Sequence, residues 1–131
     1  MNRQIKKIIL HCSDSDVPSH QKISVILDWH LRRGFRDVGY HYFINWGGGI
    51  EKGRDLNMQG AHCKGHNSDS IGICLGGRKK FTSEQFSALA ELIKDLLLKY
   101  PHLSYSDIYG HNEFANKTCP NFNVSDFINT I

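Results

Sequence analysis

Two histidines and one cysteine, far apart in the sequence, are the residues of this chain best suited to chemistry. His11 ends the apolar run of residues 8–10, whereas His111 and Cys119 lie close together near the other end. Two imidazoles and a thiolate suit zinc, and three protein ligands leave the fourth tetrahedral position open, as in hydrolytic sites. Water in that position ionises near neutral pH and can attack a carbonyl. The three residues predict a catalytic site for one Zn²⁺ ion, held by three protein ligands plus water.

Length and composition limit the class of protein. The chain has 131 residues, 40% hydrophobic and 22% charged, which predicts one globular domain over residues 1–131. Its formal charge of +3 suits an anionic surface such as a bacterial cell wall and does not call for nucleic acid. The apolar run at residues 8–10 is too short for a signal peptide, and no segment approaches the ~20 apolar residues of a membrane span. We expect a monomer that is made in the cytoplasm without membrane insertion.

The cysteines give no sign of a disulfide framework. The chain has four, without a CxxC pair and without a secretion signal, so free thiols are expected. Cys12 follows His11 directly, and on a strand the two side chains point to opposite faces, away from a shared metal. Cys74 is typical of a small core residue. Cys63 fits either the core or an exposed thiol near the site.

Buried strands lead into two of the three candidate ligands. Residues 6–12 form an apolar segment that includes His11, and residues 106–110 form a short one that leads into His111. Residues 70–75 are a further buried strand. Ligands in α/β proteins often bind where strands end. His11 and His111 are therefore expected at the ends of strands.

Helices should back these strands. Residues 82–100 are the clearest helix, because Thr82 and Gln85 have the spacing of a capping box and Pro101 ends the segment. Its apolar residues fall on one face, as in a helix packed on a core. They are Phe86, Leu89, Ile93, Leu96, Leu97 and Tyr100. Weaker patterns predict helices over residues 22–33 and 124–131.

The middle of the chain predicts a hairpin and a long loop. Residues 40–46 alternate, and a run of three glycines separates them from residues 50–51, as in a β-hairpin. Residues 54–70 are polar and long for a connection, and such loops are often functional. Strands mixed with helices and one hairpin predict an α/β domain with a mixed sheet.

Six short segments between residues 8 and 122 resemble, in order, those of the zinc-dependent N-acetylmuramoyl-L-alanine amidases of the type-2 class. That family shares a fold with peptidoglycan recognition proteins, and the chain is most similar to its small phage amidase-type lysozymes, the endolysins. The matching segments are residues 11–13, 29–30 with 34–42, 51–55, 62–67, 70–77 and 110–120.

The resemblance implies a fold, a reaction and a set of site residues. It implies a single domain with a central mixed β-sheet flanked by helices and a zinc cleft on one side. His11, His111 and Cys119 fall where the family has its zinc ligands, and Tyr40 and Lys117 fall on its two catalytic positions. The implied reaction is hydrolysis of the amide between the lactyl group of N-acetylmuramic acid and L-alanine of the stem peptide. The implied partners are bacterial peptidoglycan or muropeptides.

Elementary chemistry gives the two catalytic candidates different roles. Amide hydrolysis passes through a tetrahedral oxyanion, which needs positive charge or hydrogen-bond donors where the charge develops. Lys117 is tied by a short segment to Cys119, so its ammonium can stabilise that oxyanion. The Tyr40 hydroxyl, with an ordinary pKa of ~10, is a poor base. We expect Tyr40 to orient and stabilise first, and to shuttle protons second.

Further polar residues are candidates for substrate binding. His62 lies in the long polar loop, where it either lines the substrate cleft or packs the loop. Arg54 either binds a stem-peptide carboxylate bidentately or forms a structural salt bridge. Asn67 and Ser70 are also expected to line the cleft.

The remaining histidines have predicted environments rather than predicted contacts with substrate. His41 is expected in the core or in a hydrogen bond that supports the site. His30 is expected in the core. Three others are expected to be exposed: His20, His66 and His102.

Two functions compete with the amidase. The first is a module that binds peptidoglycan without cutting it, and the second is a regulatory interaction protein in which zinc is structural. A structural zinc site should unfold when the metal is removed, whereas a catalytic site should lose activity and keep its fold. Within the amidase class, a phage or prophage endolysin and a cytoplasmic enzyme that recycles muropeptides both fit, and the size favours the endolysin.

Overall fold

A five-stranded mixed sheet forms the centre of the molecule in the computed structural model, which describes residues 3–131. The strands are β1 (Lys7–Cys12), β2 (Tyr42–Ile44), β3 (Ile50–Lys52), β4 (Ser70–Leu75) and β5 (Ile108–Gly110). Their order is β3-β2-β4-β1-β5, and only β3 runs antiparallel to its neighbour. The helices are α1 (Ile23–Arg32), α2 (Ser83–Lys99) and α3 (Val124–Ile128). The predicted α/β fold is confirmed.

Helices cover both faces of this sheet. On one face, α2 and α3 pack on the strands through side chains such as Leu89, Ile93 and Phe127. On the other face, Ile26 of α1 packs in a smaller cluster with Phe43. Parallel strands covered on both faces must be apolar throughout, which explains the continuous hydrophobic runs in β1 and β4. Among the helices of residues 3–131, none has the length and apolarity needed to cross a bilayer.

The capping box predicted from Thr82 and Gln85 is present and also fastens α2 to the sheet. The backbone N–H of Gln85 donates to Thr82 Oγ1 at 3.2 Å, and the backbone N–H of Thr82 donates to Gln85 Oε1 at 2.9 Å. The side-chain amide nitrogen of Gln85, Nε2, also donates to the backbone carbonyls of Ile44 and Gly76. The cap therefore fixes the start of the helix beside the ends of β2 and β4.

Three predicted elements have different bounds. The hairpin strand begins at Tyr42, so Tyr40 lies in the extended segment before it. The last strand begins at Ile108, because the 3₁₀ turn Tyr105–Asp107 takes up the residues before it. The final helix ends at Ile128, where the N–H of Thr130 turns back to the carbonyl of Phe127.

Candidate active site

The parallel pairing of β1 with β5 brings the two candidate histidine ligands together. Leu10 of β1 is opposite Gly110, the last residue of β5. His11 and His111 directly follow these two positions, and their ring centroids are 4.5 Å apart. Because both strands run in the same direction, their carboxyl ends lie at the same edge of the sheet, where ligands of α/β proteins often bind.

A closed loop returns Cys119 to the same edge. The backbone N–H of Asn112 donates to the carbonyl of Cys119 at 2.8 Å. The Cys119 thiol then lies 4.0 Å from Nδ1 of His11. The ligand atoms of His11, His111 and Cys119 are all within 4.8 Å of one another.

This cluster fits a zinc ion. Bonds of roughly 2.0–2.3 Å in a tetrahedron place nitrogen and sulfur ligands about 3.4–3.7 Å apart. The separation of 4.0 Å between His11 Nδ1 and Cys119 Sγ needs only a small inward movement to reach that range. Two imidazoles and one thiolate are also a donor set that zinc prefers.

A hydrogen-bond chain behind His11 determines which of its nitrogens faces the metal site. Ser70 Oγ lies 2.6 Å from the carbonyl of His66, which can only accept, so the hydroxyl donates to it. The hydroxyl therefore accepts from Nε2–H of His62 at 3.1 Å. Nδ1 of His62 in turn accepts from Nε2–H of His11 at 2.8 Å. His11 is left with a lone pair on Nδ1, the nitrogen nearest Cys119.

His62 is held tightly in this position. A Cβ added at Gly72 would lie 2.6 Å from atoms of the His62 ring, and one at Gly60 would lie 2.7 Å away. The side-chain oxygen of Asn67 accepts the backbone N–H groups of His62 and Cys63. The glycines therefore make room for the ring, and Asn67 fixes the backbone that carries it.

These contacts change the roles expected for three substrate-binding candidates. Ser70 has no exposed surface, so it supports His62 and does not itself line the cleft. His62 is only 8% exposed and lies behind His11. Asn67 is half-buried, and its side-chain oxygen accepts hydrogen bonds from the loop backbone. All three are placed to orient a metal ligand, a role that their sequence positions alone did not reveal.

The surroundings of the three candidate ligands shift their pKa values towards the forms that bind a metal. Burial, followed by the neighbouring His62, lowers the pKa of His11 well below its ordinary value. Burial and then Lys117 lower the pKa of His111. A hydrogen bond from the Cys12 thiol is the first cause that lowers the pKa of Cys119. Neutral imidazoles and a thiolate are the forms that bind zinc.

Cys12 lies nearer to the site than strand alternation predicted. It is outside the ligand cluster, as expected, but its backbone N–H donates to Cys119 Sγ at 3.3 Å. Its hydrogen bond to Cys119, followed by burial, strongly raises the pKa of the Cys12 thiol. Cys12 lies close to the site because the loop that carries Cys119 reaches the end of β1. There Cys119 contacts both the backbone N–H and the thiol of Cys12.

A cleft of about 450 Å³ lies over the cluster. Its volume is in the usual range for a small-molecule site. Both predicted catalytic residues, Tyr40 and Lys117, line it together with His111 and Cys119. The remaining lining residues are Cys12, Ser13, Asp14, Arg33, Thr118 and Asn121.

Tyr40 is held over the metal ligands by the buried His30. The backbone N–H of Gly39 donates to Nδ1 of His30 at 2.7 Å, and the His30 ring lies 5.4 Å from that of Tyr40. On its other side Tyr40 is 5.0 Å from the ring of His11. Burial is the first cause that raises the pKa of Tyr40 well above its ordinary value. The hydroxyl therefore remains protonated and is a donor rather than a base.

Lys117 is exposed on the loop between His111 and Cys119. Its backbone N–H donates to the carbonyl of Ala115 at 2.9 Å. The charge of Lys117 contributes to the lowered pKa of both histidine ligands, because it lies close to them. The loop thus carries one cation beside the ligand cluster.

Arg54 has partners that neither sequence alternative anticipated. Its Nε donates to the carbonyl of Val38 at 2.7 Å and its Nη1 donates to that of Gln59 at 2.8 Å. The guanidinium is therefore engaged with backbone oxygens and forms no salt bridge within residues 3–131. Arg54 fastens the long loop that carries His62.

Most of the other histidine and cysteine predictions hold. His41 and His30 are buried, and Nδ1 of His41 accepts the backbone N–H of Gly72 at 3.0 Å. Cys63 is 2% exposed, which places it in the core. The predictions that His20 and His66 are exposed are wrong, because both are half-buried. The His20 ring lies 4.9 Å from that of Trp29, and the His66 ring lies 4.1 Å from that of Phe114. His102 is exposed, as predicted.

A larger groove of about 630 Å³ lies elsewhere, between α2 and α3. Its apolar lining includes Phe86, Phe122 and Phe127. It holds none of the candidate metal ligands or catalytic residues. The smaller cleft over the cluster is therefore the candidate active site.

The fold and the site define an α/β domain with a cleft suited to a metal ion at the ends of parallel strands. The sequence model of the family described as N-acetylmuramoyl-L-alanine amidase matches residues 1–122, and the chain belongs to that family. The family predicted from the sequence is confirmed.

Known relatives agree with this assignment. The chain is 34% identical to the endolysin of Enterobacteria phage K11 over 98% of its own length and 88% of the relative's. It is 37% identical to the endolysin of Escherichia phage T7 over 89% of its own length and 81% of the relative's. Among solved structures, the N-acetylmuramoyl-L-alanine amidase LysC from Clostridium intestinale URNW superposes with a TM-score of 0.85 at 28% identity, covering 98% of this chain and 86% of LysC.

Proposed function

We propose that this chain is a zinc-dependent N-acetylmuramoyl-L-alanine amidase, with residues 1–131 forming one catalytic domain. The bond cleaved is the amide between the lactyl group of N-acetylmuramic acid and L-alanine of the stem peptide. Family membership supports the amidase reaction. The observation that supports zinc dependence is the convergence of His11, His111 and Cys119 beneath a cleft that Tyr40 and Lys117 also line.

Zinc in this site would be held by Nδ1 of His11, an imidazole nitrogen of His111 and the thiolate of Cys119. When bound, it supplies Lewis acidity for hydrolysis of the amide carbonyl. The chain of His62 and Ser70 keeps the proton of His11 on Nε2, so that Nδ1 remains a ligand.

Lys117 provides positive charge on the wall of the cleft. As the carbonyl carbon becomes tetrahedral, negative charge develops on the carbonyl oxygen. An ammonium that is already near the cluster stabilises this charge more in the transition state than in the ground state, which is the condition for raising the rate. We assign this role to Lys117.

The Tyr40 ring lies 5.0 Å from that of His11, and Tyr40 lines the cleft. The pKa of Tyr40 is raised by burial, so the hydroxyl donates a hydrogen bond and does not take up a proton. Its role is to orient the reacting groups and to donate to the developing oxyanion. The contact between the buried His30 and the Tyr40 ring keeps the ring in place.

The biological setting that we propose is that of a phage or prophage endolysin. Relatives of similar length are phage endolysins. The substrate would be bacterial peptidoglycan, reached after the protein leaves the cytoplasm, and the formal charge of +3 favours contact with an anionic wall. We expect the protein to act as a monomer without nucleic acid.

Digestion of purified peptidoglycan with and without a chelator tests this function. The expected products are stem peptides with a free N-terminal alanine, identified by mass spectrometry, lost with chelator and restored by added zinc. Soluble muropeptides are digested in parallel. Preference for the polymer favours an endolysin, whereas preference for soluble fragments favours a recycling amidase.

Three results would each contradict one part of this proposal. Peptidoglycan that stays intact but sediments with the protein would indicate a recognition module. Chelator that unfolds the chain, as followed by circular dichroism, would indicate a structural metal. A Cys119→Ala variant that still releases N-terminal alanine would reject the ligand assignment.

A further inference from the structure

The cleft carries a second cation that the proposed chemistry does not use. Arg33 lines it together with Tyr40 and Lys117. Arg33 is the residue that follows the last turn of α1, and its backbone N–H still donates to the carbonyl of His30. The next residue, Gly34, has a φ of +91°, so the chain turns sharply and α1 cannot continue past Arg33. The end of α1 thus presents a guanidinium to the active-site cleft.

The guanidinium of Arg33 has no protein partner within residues 3–131. The adjacent Arg32 pairs with Asp28 at 3.0 Å. The one carboxylate that lines the cleft, Asp14, pairs with Arg78 at 3.4 Å. Arg33 forms neither a salt bridge nor a side-chain hydrogen bond in the part of the chain that the structure describes, so all its donors are available to a ligand.

Arg33 and Lys117 influence different groups around the cleft. Arg33 contributes to lowering the pKa of His30 and opposes the rise in the pKa of Tyr40. Lys117 instead acts on His11 and His111. Lys117 therefore influences the candidate metal ligands, and Arg33 influences Tyr40 and the residue that packs on it.

We propose that Arg33 binds a carboxylate of the stem peptide and so fixes the peptide in the cleft, an inference that rests on the proposed function. A guanidinium matches a carboxylate with two parallel N–H donors, which an ammonium cannot do. The stem peptide carries free carboxylates, whereas the muramic acid sugar beyond the scissile bond is uncharged. Arg33 therefore determines affinity for the peptide side of the substrate, and Lys117 acts on the reacting carbonyl.

Direct binding tests the role of Arg33 without hydrolysis. The probes are two synthetic N-acetylmuramoyl tripeptides in which a ketomethylene group replaces the scissile amide. One has free peptide carboxylates and its twin has carboxamides. Isothermal titration of the zinc-loaded protein should show that Arg33→Gln weakens binding of the carboxylate form by roughly ten-fold, the loss typical of one charged hydrogen-bonded contact. Binding of the carboxamide twin should change by less than about two-fold.

Matched variants separate this role from a general change of charge. Arg32→Gln removes an exposed arginine one position away and should leave both affinities unchanged. Arg33→Lys keeps the positive charge but lacks the two parallel N–H donors of the guanidinium. It should therefore recover only part of the affinity for the carboxylate probe. Equal weakening of both probes by Arg33→Gln, or no weakening of either, would overturn the proposal.

Hydrolysis of the natural amide then separates this proposal from the function on which it rests. Arg33→Gln should raise KM for the carboxylate substrate and leave kcat nearly unchanged. If wild-type protein releases no N-terminal alanine, the amidase function fails, while the binding isotherms still decide whether Arg33 recognises the carboxylate.

Discussion

Nε2 of His11 lies 2.8 Å from Nδ1 of His62, and this contact connects the candidate metal ligands to the core of the sheet. The Ser70 hydroxyl donates to the carbonyl of His66, so it accepts from Nε2–H of His62. Nδ1 of His62 then accepts from Nε2–H of His11. His62 is therefore a positioning residue that keeps Nδ1 of His11 free. Two buried residues, His62 and Ser70, therefore preset the orientation of the candidate ligand His11.

We expect His62→Ala to lower zinc affinity by roughly 10- to 100-fold, because His11 loses the partner that selects its tautomer. Competition with a chromogenic chelator measures this affinity. Ser70→Ala should lower it less, since the His62–His11 contact remains. His102→Ala, at an exposed histidine, is the control. Unchanged zinc affinity in His62→Ala would show that the contact has no role in metal binding.

Gly72→Ala should disturb the same site, because Gly72 packs against the His62 ring. Its Cβ would lie 2.6 Å from atoms of the His62 ring, so the ring must move away from His11. We predict weaker zinc binding and a lower melting temperature, the latter by several degrees for a loss of about 1–3 kcal/mol from overpacking. Gly47→Ala is the matched control, because the nearest atom to its Cβ would be 3.4 Å away. Equal zinc affinity in the two variants would refute this packing argument.

Lys117→Met should lower kcat by roughly 100-fold, the usual cost of removing one group that stabilises an oxyanion. Its zinc content and melting temperature should stay close to wild type, because the side chain is exposed. Lys64→Met removes another exposed lysine, away from the cleft lining, and should leave kcat unchanged. A Lys117→Met enzyme with wild-type kcat would show that Lys117 has no role in the reaction.

Stability should fall in acid, and the buried His41 contributes to this fall together with the other buried histidines. Burial is the first cause that lowers the pKa of His41 from 6.5 to about 4, so the unfolded chain binds a proton that the folded chain does not. The contribution is complete above pH 6.5 and is lost as the pH falls towards 4. A shift of this size corresponds to about 3 kcal/mol.

Urea unfolding of the metal-free protein at several pH values measures this dependence. His41→Gln should be less stable at neutral pH, because the Gly72 N–H loses its acceptor, but its stability should vary less between pH 6.5 and 4. A slope in His41→Gln as steep as that of wild type would assign the acid sensitivity to other groups.

The sequence predicted the fold well because the fold follows from strong local patterns, whereas the role of His11, His111 and Cys119 as metal ligands stays a prediction. Continuous apolar runs in β1 and β4 specify buried parallel strands, and the ends of such strands meet at one edge. His11 and His111 occupy these ends. The capping box at Thr82 likewise marked the start of α2.

The supporting residues could not be assigned in the same way, because their roles depend on contacts between distant segments. His62 was expected in the cleft or in loop packing, and only its distances to His11 and Ser70 show that it supports a ligand. Arg54 finds backbone carbonyls rather than a carboxylate. Arg33 was not singled out, since no motif marks the end of a helix that happens to face a cleft.

The most direct test of the account is zinc content measured together with hydrolysis. Inductively coupled plasma mass spectrometry should find about one zinc per wild-type chain, the stoichiometry of a three-ligand catalytic site. Cys119→Ala should contain little zinc and release no N-terminal alanine from peptidoglycan, while its circular dichroism spectrum stays that of a folded protein. A metal-free Cys119→Ala protein that hydrolyses peptidoglycan at the wild-type rate would contradict the central claim.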